Sequence, residues 1–361
     1  MNNLRLCCLF LLGSVLCPAM ISSQAQPPSS PAATAAPKTP AEFFARARQL
    51  SDLEAAGIPF HLKATYVASG NAEFTGNGTY EEWWESKDTW RKEATLGDYR
   101  YVGIRNAGVS HFYSTSNYVP LRLRQAMQAV LIRIPADVGI SGRWKMHDKN
   151  LSGMNLVSIS KKYPCMTTMT KPSGTKCLQQ DYFTADGVLR MQVLNGTATV
   201  ANGMRRFGNL LIPRNISMAD IHHTQILAIV IKELQPLGTY ENPASTIIAT
   251  PVGLPQAEEQ ISADEIPADQ KLTPSHIVRP IAPEYPAAAR QQEMEGTVVI
   301  FATIDGKGDV REPYLIQSCG ALLDSASLQA VRRWKFPPIA IGGKPTTVET
   351  TVSFIYRLRR D

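Results

Sequence analysis

The sequence predicts a mainly β protein with an α+β tail: an N-terminal curved antiparallel sheet or half-barrel with one helix, joined by a flexible linker to a small α+β domain. Three observations carry this. Strand-like runs separated by short turn signals fill the chain from Ile58 to Ile231, a Pro-rich acidic stretch follows to about Ile277, and beyond it runs of period two and period 3.6 alternate to the end. The 361 residues allow two or three domains, and 44% hydrophobic with 19% charged is ordinary for a globular protein.

Taken in order, the chain opens with Arg5, an apolar run from Leu6 to Leu16, Pro18, and the small-x-small site Ser23-Gln24-Ala25. Residues 1–25 are expected to be a secretory signal, with an uncleaved anchor as the competing reading. As a helix, Leu6 to Ile21 spans only ~24 Å against ~30 Å of hydrocarbon, and Pro18 interrupts it. Leu16 is too large for the small residue a lipobox has before its cysteine, so Cys17 is not read as a lipidation site. Removing this segment takes one Arg and no acid from a net charge of +6. Pairs such as Arg122-Leu123-Arg124 and Arg205-Arg206 are scattered and read as solvated faces, so nucleic acid is not an expected partner.

Residues 26–40 are a Pro/Ala-rich spacer with no large apolar side chain to bury. Phe43, Phe44, Ala47, Leu50 and Leu53 at near-helical spacing predict a helix over Glu42–Ala56, stopped by Gly57 and Pro59. From there to about residue 240 the expected strands are Phe60–Ala68, Gly78–Glu85, Thr89–Leu96, Tyr99–Arg105, Ser110–Ser114, Met154–Lys161, Cys177–Thr184, Val188–Leu194, Ala198–Arg206 and Gln225–Ile231. Turns such as Asn106-Ala107-Gly108, Asp186-Gly187 and Asn202-Gly203 join them, which is the pattern of an antiparallel meander or barrel. A helix over Leu121–Ile132 interrupts the run, and a curved sheet wrapped over it would enclose an apolar concavity. Gly78-Thr-Tyr-Glu-Glu-Trp-Trp84 with Thr89-Trp-Arg-Lys-Glu93 is similar to the early strands of half-barrel lipoprotein carriers of the LolA and LolB kind, a resemblance that implies a lipid ligand. Trp83, Trp84, Trp90 and Trp144 are read as core and rim residues rather than a lipid-binding mouth, since Trp83 and Trp84 must face opposite sides of one strand.

Cys7, Cys8 and Cys17 leave with the signal, which leaves Cys165, Cys177 and Cys319. In an exported chain the close pair Cys165/Cys177, flanking the Lys171–Gly174 turn, is the candidate disulfide, worth about 3 kcal/mol in the chain-entropy model. Cys319 is then a free thiol, with an intermolecular link as the alternative. No histidine sits in a nucleophile-elbow, zinc-ligand or phosphate-loop pattern, so catalytic residues, metals and cofactors are not expected. His222-His223 are adjacent and diverge, and Asp305 with Asp309 lack the remaining ligands of a calcium loop. Residues 241–276, with Pro243, Pro251, Pro255, Pro267, Pro274 and acids from Glu258 to Asp269, are expected to be an extended, disordered linker.

The tail, residues 277–361, begins with Pro283-Glu284-Tyr285-Pro286, then a short helix and a strand over Gly296–Ile304. An Asp305–Gly308 turn and a strand over Asp309–Gln317 come next. A helix from Ala321 carries the stripe Leu323, Ala326, Ala330, Val331 and Trp334, and ends before Pro337-Pro338. After Gly342-Gly343-Lys344, Val348, Val352, Phe354 and Tyr356 alternate with Thr347, Glu349, Thr351 and Ser353, a strand with one buried face. This tail resembles the C-terminal domain of TonB-family proteins. The match runs through Pro283-x-Tyr285-Pro286, Gly296-x-Val298, Ile304-Asp305-x-x-Gly308-x-Val310, Ser318-x-Gly320, Leu323-Asp324, Ala330-Val331-x-x-Trp334-x-Phe336-x-Pro338, Gly343-Lys344-Pro345 and Phe354. Cys319 replaces the usual second Ser of a Ser-Ser-Gly turn, and Ala282 and Glu284 stand where some members have Gln.

The resemblance implies a periplasmic protein that grips the TonB box of an outer-membrane transporter by strand addition, in energised transport. It implies an inner-membrane partner of the ExbB/ExbD type only if the N-terminus is an uncleaved anchor. The peptide site it implies is Pro283, Glu284, Tyr285 and Pro286 beside an outward row of Thr347, Glu349, Thr351 and Ser353 on an edge strand. A lipid or lipoprotein carrier, with the tail as its docking module, is the alternative. A hydrolase finds no support in the residues.

Overall fold

The computed structural model describes residues 35–131, 134, 144–151, 154–164, 176–239, 243–257, 259–262 and 277–358. The expected signal, most of the spacer, and Cys165 of the expected bridge lie outside these residues. Helix α1 is Pro40–Ser51, started by Pro40 in the first turn and by the Thr39 hydroxyl, which accepts from Glu42 N at 3.3 Å. Strands β1 (Phe60–Ala68), β2 (Gly76–Ser86), β3 (Thr89–Leu96), β4 (Tyr99–Asn106) and β5 (Val109–Ser114) form a meander, and helix α2 (Leu121–Val130) follows. Then come β6 (Lys145–Leu151), β7 (Met154–Pro164), β8 (Lys176–Thr184), β9 (Leu189–Leu194), β10 (Thr197–Asn202), β11 (Arg205–Phe207), β12 (Leu210–Ile212), β13 (Asn215–Ala219) and β14 (Gln225–Pro236).

Twelve of these strands make one sheet in the order β5-β4-β3-β2-β1-β14-β13-β10-β9-β8-β7-β6, and β11 pairs with β12 apart from it. The two meanders are closed on each other by β1 and β14, antiparallel from Phe60↔Pro236 to Ala68↔Leu227. Sequence alternation puts Leu62, Ala64, Tyr66, Tyr80, Trp84, Ala94 and Leu227 on one face, and α2 lies against it with Leu123, Ala126 and Val130 in the same core. Trp83 faces the other way, stacked on His61 at 5.1 Å and packed with Leu237 and Ile247. Helix α1 seals a second core, its Phe43 and Phe44 each against Phe183.

The stretch expected as a disordered linker is ordered in its described parts. Helix α3 (Pro243–Ile248) buries Ile247, and β15 (Glu259–Ser262) joins a second sheet. The reason is backbone pairing at both ends. Ser114 N donates to Pro255 O at 3.0 Å and Ala257 N to Phe112 O at 2.8 Å, so the chain continues the β5 edge before it reaches β15.

The second sheet holds β16 (Gly296–Ile304), β17 (Val310–Gln317) and β19 (Lys344–Tyr356) in the order β15-β19-β16-β17, with β18 (Ala340–Ile341) pairing at the start of β19. Helices α4 (Ala287–Gln291) and α5 (Ala321–Arg332) complete the tail. The described residues from 36 to 358 cluster as one unit by their contacts.

Two positions test this architecture. Gly308 sits at φ +84° in the turn that links β16 to β17, and a Cβ there would lie 2.1 Å from Phe336 O. Gly308→Ala should lower stability by more than about 2 kcal/mol, read by denaturant titration. Asp181 on β8 is fully buried, accepting from Gln179 at 2.9 Å and Gln192 at 2.8 Å, and burial pushes its pKa from 3.8 up to about 6. The folded state holds this proton more tightly than the unfolded chain, so the stability it contributes is present below about pH 4 and is lost as pH rises through about 6. Asp181→Asn should flatten that fall and raise stability at pH 7.5 by up to about 3 kcal/mol, seen as a smaller pH dependence of the unfolding midpoint.

Candidate functional site

In the tail each motif residue has a structural task. Val298, Ile300, Ala302 and Ile304 of β16, Val348, Val352 and Tyr356 of β19, and Leu323 and Val331 of α5 form one core. The Asp305 carboxylate accepts from Lys307 N at 3.1 Å and Asp309 N at 2.9 Å, which makes it a turn-former. Asp324 accepts from the Ser318 hydroxyl and from Cys319 N, holding the entry to α5, and Gly320 there is at φ +119°. Cys319 is a free thiol, half-buried, and burial with the nearby Asp324 raises its pKa.

The structure separates the two halves of the expected peptide site. Tyr285 packs edge-on against Tyr356 at 5.3 Å and donates its hydroxyl to Met294 O, while Trp334 Nε1 donates to Ile281 O at 2.8 Å. The Pro283–Pro286 segment therefore lies on the α5 face of the sheet, where Pro283, Glu284 and Pro286 border an open groove of about 570 Å³ with Ala321, Ser325 and Gln329. Thr347, Glu349, Thr351 and Ser353 alternate onto the opposite face. They were expected to point outward, yet Thr347, Thr351 and Ser353 are buried and Glu349 is half-buried.

The cause is α2. Its residues Leu121, Arg124, Gln125 and Gln128 repeat at i, i+3, i+4 and i+7 and turn away from the large core toward the small sheet. Arg124 is buried. It donates to Glu349, to Thr303 Oγ1 at 2.9 Å, to the Tyr118 hydroxyl at 3.3 Å and to Val119 O at 3.0 Å. Burial opposes its charge, but Tyr118 and Glu349 beside it more than offset that and hold its pKa above the ordinary guanidinium value. Arg122 is buried too, on Ser69 O and Gln125, so the reading of this pair as a solvated face is corrected.

Glu312 on β17 accepts from the Tyr118 hydroxyl at 2.7 Å, Leu121 N at 2.6 Å and Glu73 N at 3.2 Å, and Arg311 grips Glu73 at 2.6 Å. A cavity of about 270 Å³ remains between the sheets, bordered by Gln125, Gln128, Met218, Phe301 and Tyr314. Sequence reasoning missed Tyr118, Arg124 and Glu312. The available signal was two arginines inside a short helix whose other positions are mostly apolar.

The β19 edge is the remaining feature. One side pairs antiparallel with β16 from Gly296↔Tyr356 to Ile304↔Val348. The other side pairs in parallel with β15 over Thr346–Glu349, so the last strand is not an edge along its whole length, as had been expected. From Thr351 to Tyr356 no described strand pairs on that side, and the Thr351 and Ser353 hydroxyls are buried with no hydrogen-bond partner among the described residues.

Residues 281–358 match the family model of the Gram-negative bacterial TonB protein C-terminal. This segment is similar to a TonB C-terminal domain. Protein TonB of Vibrio cholerae is 29% identical over 103 residues, which are 28% of this chain and 41% of that protein. Protein tonB2 of Pseudomonas aeruginosa is 36% identical over 78 residues, 21% of this chain and 29% of that protein. The chain thus spans less than half the length of either relative. The TonB C-terminal domain of Pseudomonas aeruginosa in solution covers 24% of this chain and 87% of its own, at 27% identity and a TM-score of 0.22. Over the large sheet, a LolA superfamily protein from Nitrosomonas europaea covers 59% of this chain and 99% of its own, at 8% identity and a TM-score of 0.31. No described helix is long and apolar enough to cross a membrane.

The Arg124 cluster makes a direct prediction. Arg124→Gln leaves Glu349 facing a neutral partner and strips a charged donor from Tyr118 and Thr303, and should cost about 3 kcal/mol or more. The paired change Arg124→Leu with Glu349→Leu should recover a large part of the loss in the same urea titration.

Proposed function

We propose that this chain works in the bacterial cell envelope as a binding protein. In this reading its TonB C-terminal domain docks an extended peptide, the TonB box of an outer-membrane transporter, by strand addition on the second edge of β19. The observation that carries the reading is the coincidence of the family match over residues 281–358 with a strand whose Thr351–Tyr356 half has no described neighbour on one side. An unpaired row of N–H and C=O groups is the chemistry strand addition needs, and it recognises backbone before side chains. The Pro283–Pro286 groove is a separate surface on the α5 face, so in this reading the docked strand is carried by β19.

The proposal includes export to the periplasm through residues 1–25 and a Cys165–Cys177 bridge, both testable by mass mapping of the mature chain under non-reducing conditions. The docking edge is tested by cross-linking. Ile355 is exposed near the end of β19, and Ile355→Cys in a Cys319→Ser background should form a disulfide with a synthetic TonB-box peptide that carries one cysteine. The control Val278→Cys, exposed but outside the sheet, should not. Equal trapping at both positions would remove β19 as the docking edge.

A further inference from the structure

Two neighbouring segments meet two different sheet edges. Residues 255–257 pair with β5 through Pro255 O and Ala257 N, and β15, which begins two residues after Ala257, runs beside β19 in the parallel register Glu259↔Thr346, Gln260↔Thr347, Ile261↔Val348 and Ser262↔Glu349. That register lies on the same edge of β19 whose continuation, Thr351–Tyr356, has no described neighbour. Glu349 is also the residue Arg124 holds from the sheet face, so the edge contact and the face contact meet at one position.

We propose that β15 is a displaceable cover strand: it occupies in cis the first half of the docking edge, and an extended partner must push it off to pair along the whole of β19. The proposal rests on the docking reading above. Three features suit β15 to this role. It is four residues long, it pairs in parallel, which is the weaker geometry per residue, and its sequence Glu259-Gln260-Ile261-Ser262 offers one large apolar residue among polar ones. A tethered strand competes at an effective concentration in the millimolar range, enough to hold a weak contact closed most of the time. If the covered state is about 90–99% populated, a partner that needs the open edge binds about 10- to 100-fold more weakly than its intrinsic affinity.

The partner this edge fits is therefore a longer strand than the exposed half alone would take. A peptide confined to Thr351–Tyr356 would feel no competition.

The test uses the full chain with Gln260→Pro and Ile261→Pro together, because along a parallel strand only alternate N–H groups face a given neighbour. A second variant replaces residues 259–262 by Gly-Ser-Gly-Ser and avoids proline. Two readouts are taken: hydrogen exchange at the amides of 347 and 349, since Thr346 N is held by Ile339 O, and the Kd of a synthetic TonB-box peptide by calorimetry. Faster exchange at 347 and 349 together with at least tenfold tighter peptide binding in both variants is expected. Unchanged exchange shows that β15 does not cover the edge and overturns the proposal. Faster exchange with the same Kd as the parent chain also overturns it while the docking reading stands. Faster exchange with no peptide binding in any form overturns the docking reading, and the proposal with it.

Discussion

The buried guanidinium of Arg124 sets how the two sheets are arranged. A charge removed from water must be met by acceptors with good geometry, and here they come from both parts of the chain: Val119 O and Tyr118 from the approach to α2, Thr303 and Glu349 from β16 and β19. Helix α2 thus buries most of its circumference, with Gln128 its exposed position. Leu123, Ala126 and Val130 fill the core of the large sheet, and Leu121, Arg124, Gln125 and Gln128 face the small one. The small sheet packs α5 on its apolar face, and on its polar face Arg124 of α2 reaches Thr303 and Glu349. Ion-pair burial of this kind adds little net stability but strongly disfavours wrong registries, since any shift of the small sheet leaves a charge unmatched.

Around this centre the contacts are polar and specific. Glu312 accepts three donors from the large-sheet side, Arg311 pairs with Glu73, and the Arg311 guanidinium lies 4.5 Å over the Tyr118 ring. The Asn195-Gly196 turn between β9 and β10 approaches so closely that a Cβ on Gly196 would lie 2.7 Å from Ile316 Cα. Such an interface resembles a hydrogen-bonded latch more than a hydrophobic core. Its strength depends on every partner being present, because a buried polar group left unpaired is costly in a low-dielectric surround.

Much of the fold was legible because alternation is a local property. β1, β3 and β16 begin and end where period-two patterning places them, and the caps and breakers around α5 fix its start at Ala321. β6 was missed because Lys145-Met-His-Asp-Lys-Asn-Leu151 is mostly polar, which suits the outermost strand of a sheet and carries no alternation signal. β12 and β13 are three and five residues long, too short for a period to show. In the site, Tyr285, Trp334 and the Asp305 turn were readable from the family pattern, but the fate of Thr347, Glu349, Thr351 and Ser353 was not. Alternation separates the two faces of a strand. It does not say whether water or a buried arginine lies beyond the polar one.

Proline and acidic residues argue against a packed core, and in the described part of the expected linker the order comes from backbone pairing to strands already present at β5 and β19. Edge strands are sites of unwanted association, and a chain can protect them with its own connecting segment as readily as with charge or proline within the strand. Here one segment serves two edges, with Pro255 to Ala257 on the large sheet and β15 on the small one. Glu349 is where the two arrangements meet, since β15 pairs with its backbone along the edge while Arg124 holds its carboxylate from the face.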